Sequence, residues 1–159
     1  MKLITILFLF VCFSSMGQTD PRVEIFEGRG IANDYQRVLD LSYQNLEKLP
    51  ARANNPAIEI LILDNNNLQQ LPNWISSLVN LKVLSVRNNN LREVNSAISF
   101  CEHLEQIYLS GNPDLSDLTG LSSCRKLKIV DVVNTRINEV PGEMHMMDNL
   151  SYFKFTKIN

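Results

Sequence analysis

Leu39, Leu61, Leu84, Ile107, Val130 and Phe153 fall 22, 23, 23, 23 and 23 residues apart. Two residues after each comes a second apolar side chain: Leu41, Leu63, Val86, Leu109, Val132 and Phe155. Three residues before the last five of the first set stand Ile58, Leu81, Leu104, Leu127 and Leu150. A period held this long leaves few folds open. Each unit exposes an apolar face that only a neighbouring copy can cover, so the units must stack. Within a unit, the alternation Leu61-Ile62-Leu63 reads as a short strand with its odd-numbered residues inward. Three residues after the second apolar position, Asn66, Asn89 and Asn112 recur where the chain turns away, with Gln44, Thr135 and Ile158 in the other units. A carboxamide donates and accepts at once, which suits backbone groups that such a turn leaves unpaired inside a core. Thr135 and Gln44 keep some of that capacity, whereas Ile158 has none.

The fullest copy runs from Ile58 to Leu78, with Leu61, Leu63, Asn66, Leu68, Leu71-Pro72, Ile75 and Leu78 in order. Its Leu-Pro step recurs as Leu49-Pro50 and Val140-Pro141. In these positions the chain resembles the leucine-rich repeat family, in its 23-residue subclass, from about Gln36 onward. The resemblance implies an α/β fold: a short right-handed solenoid with a parallel sheet of about six strands on the concave side and an irregular or short-helical convex side. It also implies partner binding without a cofactor, and it does not name the partner, because the family binds very different molecules. About five repeats plus a terminal strand are expected over residues 36–159. The run Asn112-Pro113-Asp114-Leu115 is one residue longer than Asn89-Asn90-Leu91, and the phase returns by Leu127.

Upstream of the repeats, Lys2 is followed by an apolar run from Leu3 to Phe13, broken by Thr5, and then by Ser14, Ser15, Met16 and Gly17. This reads as a secretory signal peptide, residues 1–17, and predicts a periplasmic, cell-surface or extracellular protein. The run is about half the roughly 20 residues a membrane span needs. A lipid anchor on Cys12 is the alternative, and the bulky Val11 before it argues against one. Residues 18–35, with Val23, Ile25, Phe26, Ile31 and Tyr35, are expected to close the N-terminal end of the stack. The whole chain carries 15 Lys+Arg against 17 Asp+Glu, so no basic surface recommends a nucleic-acid partner.

Outward positions between the core residues form columns. One reads Val38, Ile60, Val83, Gln106, Ile129 and Tyr152; the next Asp40, Ile62, Ser85, Tyr108, Asp131 and Lys154; a third Ser42, Asp64, Arg87, Ser110, Val133 and Thr156. Ile60, Ile62, Val83, Tyr108, Ile129, Val133 and Tyr152 are expected to face solvent together on the concave sheet, with Asp64 and Arg87 orienting a protein partner. A contiguous apolar patch marks a contact surface, although β-branched residues also simply suit sheets. A further column at the start of the strands alternates in sign, Arg37, Glu59, Lys82, Glu105 and Lys128, and reads as a cross-strand ladder that sets register. Cys101 and Cys124 take one core slot in successive units; small buried thiols are the main reading and a disulfide the alternative.

Catalytic signals are missing. His103 and His145 have no partners at metal-ligand spacing, and no nucleophile elbow or phosphate loop occurs. Asp64-Asn65-Asn66-Asn67 lacks the glycine and glutamate of a calcium loop. Asp40 and Asp131 lie four strands apart, roughly 19 Å by sheet spacing, too far for a carboxylate pair. The sequence therefore predicts a binding module that is no enzyme and needs no metal or cofactor. The alternatives are a self-associating envelope protein joined through the C-terminal end, against which Lys154 and Lys157 weigh, and a carbohydrate-binding surface, for which concave aromatics are few.

Overall fold

The computed structural model describes residues 37–156. The expected export segment (1–17), the closing segment (18–35) and Ile158 lie outside the described residues. Each unit begins with a three- or four-residue strand: β1 Val38–Asp40, β2 Ile60–Ile62, β3 Val83–Ser85, β4 Gln106–Tyr108, β5 Ile129–Val132 and β6 Tyr152–Phe155. The strands form one parallel sheet in chain order. Its register pairs Leu39 with Leu61, Leu61 with Leu84, Leu84 with Ile107, Ile107 with Val130 and Val130 with Phe153. The residues that define the sequence period are thus the ones that lie side by side.

Each strand returns to the next through an irregular stretch and one turn of 3-10 helix, at Ala51–Ala53, Asn73–Ser77, Ser96–Phe100, Thr119–Leu121 and Gly142–Met146. Short tight turns suit this place, because a 23-residue circuit leaves no room for a long helix. The core lies between sheet and return path. Leu61, Leu63, Leu84, Val86, Ile107, Leu109, Val130 and Val132 are all fully buried from the strand side, and Leu68, Ile75, Leu78, Leu91, Ile98 and Leu121 meet them from the other. Fully burying one such side chain is worth about 1.5–3 kcal/mol, and here almost all of it comes from contact between coils.

Stacking also traps backbone polar groups, and the asparagine column satisfies them. Asn66 Nδ2 donates to the carbonyls of Leu41 and Leu63, both at 2.9 Å, while its Oδ1 accepts from the amides of Gln44 at 3.1 Å and Leu46 at 2.9 Å. Asn89 donates to Leu63 O at 2.9 Å and Arg87 O at 3.1 Å and accepts from Leu68 N at 3.0 Å. Asn112 donates to Val86 O and Leu109 O and accepts from Leu91 N. Each therefore bonds its own coil and the one before it. Thr135 keeps the turn but not the tie: its hydroxyl donates to Val132 O at 2.7 Å and accepts from Ile137 N at 3.1 Å, all within one coil.

The one-residue insertion after Asn112 is absorbed on the convex side. An isolated bridge pairs Glu93 with Asp117, one residue out of the 23-residue phase, and the following 3-10 helix shrinks to three residues from the five of its predecessor. Gly120 makes that close passage feasible: a Cβ there would stand 2.2 Å from Val94 O and 2.5 Å from Asn95 O.

Replacing Asn89 by Ala leaves Leu68 N buried without its acceptor and takes from Leu63 O one of its two donors, the other being Asn66 Nδ2, and is expected to cost roughly 2–3 kcal/mol. Thr135→Val removes bonds inside a single coil and should cost less, about 1–2 kcal/mol. Urea unfolding of both variants against the wild type checks the order.

Candidate interaction face

The expected columns are present on the inner face of the sheet. Ile60, Val83, Gln106, Ile129 and Tyr152 are in register in one row, and Ile62, Ser85, Tyr108, Asp131 and Lys154 in the next. The expected exposure is corrected. Ile60, Ile62, Val83 and Tyr108 are buried, Tyr108 to 1% of its surface, and Asp64 is buried with them. Ile129, Val133 and Arg87 are half-buried, and Tyr152 is exposed. The open part of the expected patch lies toward β5 and β6. In-register branched side chains on strands about 4.8 Å apart shield one another, and Arg87 lies over Tyr108. Glu59, Asp64, Ser85 and Tyr108 have interactions beyond those described below.

Arg87 organises this face. Two residues past β3, it sends its guanidinium over β4, with Cζ 4.5 Å from the centre of the Tyr108 ring. Nη2 reaches Asp131 on β5 at 3.1 Å. Its backbone amide donates to Asp64 Oδ1 at 2.9 Å, and the same oxygen accepts from Ser85 Oγ at 2.6 Å. Tyr108 donates its hydroxyl to Gln106 Oε1 at 2.9 Å. A guanidinium stacked on a ring and paired on one side has lost much of its rotamer freedom before any partner arrives. Its Nε is buried without a hydrogen-bond acceptor. The sequence columns set Arg87 beside Ser110, so its diagonal reach to Asp131 is visible only once the side chain's length is taken into account.

The charged column is present in two pieces. Glu59 takes Arg37 on Oε1 and Lys82 on Oε2, both at 2.7 Å, and Glu105 takes Lys128 at 2.9 Å. Lys82 and Glu105 form no ion pair, so the expected continuous ladder breaks between β3 and β4: Lys82 is drawn to the better-shielded Glu59. Pairs this exposed are worth at most about 1 kcal/mol each.

Cys101 and Cys124 are free and buried. Each thiol donates to a carbonyl of the preceding coil, Cys101 to Ile75 O at 3.3 Å and Cys124 to Ile98 O at 3.8 Å. The disulfide alternative is thus not formed; both sulfurs point along the stack and bond backbone. Burial pushes the Cys101 thiol up to about 11, and burial together with the neighbouring Cys101 pushes Cys124 up to about 12. His103 and His145 are exposed, the former with Nδ1 3.1 Å from Val79 O. Among the described residues, no three His, Cys, Asp or Glu side chains gather as a metal site, and no helix is long and apolar enough to cross a membrane.

Residues 56–113 match the family model of the leucine-rich repeat, and the six-stranded sheet carries the same strand register on both sides of that segment. Residues 56–113 are leucine-rich repeats, and the described residues have the leucine-rich repeat fold. Among solved structures, this chain is similar to a leucine-rich repeat protein from Leptospira interrogans, at 23% identity and a TM-score of 0.60, covering 74% of this chain and 36% of that one. It is also similar to internalin C2 of Listeria monocytogenes, at 23% identity and a TM-score of 0.67, covering 76% of this chain and 51% of the other. A third is the functional domain of InlJ from Listeria monocytogenes, described as including a cysteine ladder, at 18% identity and a TM-score of 0.63, covering 75% of this chain and 25% of that one. The chain thus spans between a quarter and a half of these proteins' lengths, and at such identities the likeness is one of fold. No curated protein matches it.

The thiol shifts carry a pH signature. Both groups hold their protons more tightly folded than unfolded, where a thiol titrates near 8.5. Stability is therefore unaffected below about pH 8 and falls as pH rises through roughly 8.5–11, as the unfolded chain releases protons that the folded one keeps. A Cys101→Ala, Cys124→Ala variant should lack that component of the alkaline loss, measured as melting temperature against pH.

Proposed function

We propose that this protein is an exported binding module that holds another protein against the inner face of its sheet, toward the β5–β6 end. The observation that carries the reading is the arrangement of Arg87, stacked on Tyr108 and tied to Asp131 across two strands, beside the half-buried Ile129 and Val133. A fixed guanidinium flanked by apolar side chains is the composition of an interface centre, where Arg and Tyr are enriched. Tyr108 serves this centre from beneath, by holding Arg87, and contacts the partner less than Arg87 does. Export rests on the N-terminal pattern of Lys2, the short apolar run and the small residues up to Gly17. The repeat fold supports partner binding by analogy alone, and no catalytic grouping competes with it on this face.

The reading predicts that Arg87→Ala with Ile129→Ser abolishes capture of a partner that the wild-type protein retains from its native extracellular or envelope fraction. Circular dichroism should remain that of the wild type, since both side chains sit outside the core between sheet and return path. Equal capture by variant and wild type would move the binding site off this face.

A further inference from the structure

We propose that Cys101 and Cys124 together hold one soft monovalent metal ion, of the Cu(I) class, in linear coordination between two thiolates. The site is independent of the binding face described above. Leu78, Cys101, Cys124 and Met147 occupy one slot in successive coils, because the same backbone bonds frame each of them. Their amides donate to Ile75 O, Ile98 O, Leu121 O and Met144 O, and their carbonyls accept from Leu81, Leu104, Leu127 and Leu150. The two thiols repeat one another as well. Cys101 Sγ donates to Ile75 O and Cys124 Sγ to Ile98 O, each 26 residues upstream. Side chains in equivalent slots, bonded to equivalent carbonyls, are related by the step from one coil to the next.

That step favours a bridging ion over a disulfide. Neighbouring strands lie about 4.8 Å apart, and the same step sets the two sulfurs apart by a similar distance. The charge of Cys101 is felt at Cys124 across it. A disulfide needs about 2.05 Å between sulfurs, so both side chains would have to leave their present orientations and their carbonyls. An ion held midway, with metal–sulfur bonds of about 2.3 Å as in thiolate sites generally, spans about 4.6 Å. It fits between the two sulfurs with little movement of either. The cysteines are 23 residues apart in the chain, which hides the pair from any motif built on local ligand spacing.

The surroundings select the ion. Leu78, Leu104 and Leu127 of the same coils are buried with the cysteines, and among the described residues no group of three His, Cys, Asp or Glu gathers around a common point. Zinc, which takes four ligands, is therefore not served. Two thiolates in an apolar cavity suit Cu(I), which soft sulfur ligands select. Binding is an exchange of protons for metal: one M⁺ and two thiols give a bridged RS–M–SR unit of charge −1 and two H⁺, with no change of oxidation state. The ion thereby cancels one of the two thiolate charges it creates. Its path is short, since the residues on either side of each cysteine, Phe100 and Glu102, Ser123 and Arg125, are all exposed.

Native mass spectrometry with Cu(I), delivered anaerobically, tests the site. The protein used is the full chain carrying Cys12→Ser, in which Cys101 and Cys124 are the only thiols. The expected product is one copper per folded chain, with a mass gain of one copper less two protons, and a melting temperature raised by the bound ion. Cys101→Ala or Cys124→Ala, each made alone in that background, should weaken binding by more than the roughly 10–100-fold that loss of an outer-shell partner costs. Two coppers on the parent protein, each replacing one proton, would overturn the proposal, because the thiols would then act separately. So would single variants that bind as tightly as the parent, or a folded parent that takes up no copper. Circular dichroism of each variant confirms that the comparison is between folded proteins.

Discussion

Parallel stacking in one fixed register forces buried backbone groups on every coil, and the whole molecule depends on how they are satisfied. A coil that only buried leucines would strand its turn amides and carbonyls in the core at about 1–3 kcal/mol apiece. Asn66, Asn89 and Asn112 remove that cost by serving two coils with one carboxamide each. Hydrophobic burial supplies the attraction between coils, but it is non-directional and would tolerate sliding. The asparagines do not, because a shifted coil would break their bonds. Register therefore comes from polar groups in the core, and the exposed ion pairs at the start of the strands reinforce it weakly.

The inner face follows from that register. Once Leu61, Leu84, Ile107 and Val130 lie side by side, the residues between them are ranked into rows, and one long side chain can act across several strands. Arg87 does so, bridging from the end of β3 over Tyr108 to Asp131. The middle of this face is closed and its β5–β6 end is more open. Tyr152 and Lys154 of β6 share that inner surface at its more open end.

Much of this was legible in the sequence because a repeat writes the same instruction several times. The pairing of Leu39 through Phe153 could be read directly, as could the asparagine slot and the inward direction of Cys101 and Cys124. Depth of burial could not. Alternation says on which side of the sheet Ile60 or Tyr108 lies and nothing about what lies over that side, so the expected solvent-facing patch was too large. The break between Lys82 and Glu105 was hidden for a related reason: a column of alternating signs does not say that Glu59 accepts two cations at once. Gly120 carried no repeated signal, since only its coil has the inserted residue to accommodate. The reach of Arg87 escaped because columns describe neighbours along a row, and a guanidinium acts on the diagonal.

Hydrogen exchange of individual amides tests the central claim, that buried asparagines rather than apolar contact alone lock coil to coil. The amides of Leu68 and Leu91, which donate to Asn89 and Asn112 of the following coil, should exchange only through global unfolding. The amide of Ile137, bound to Thr135 within its own coil, should exchange faster, through local opening of that coil. Uniform protection of all three, or strongest protection at Ile137, would contradict the account and assign the register to packing.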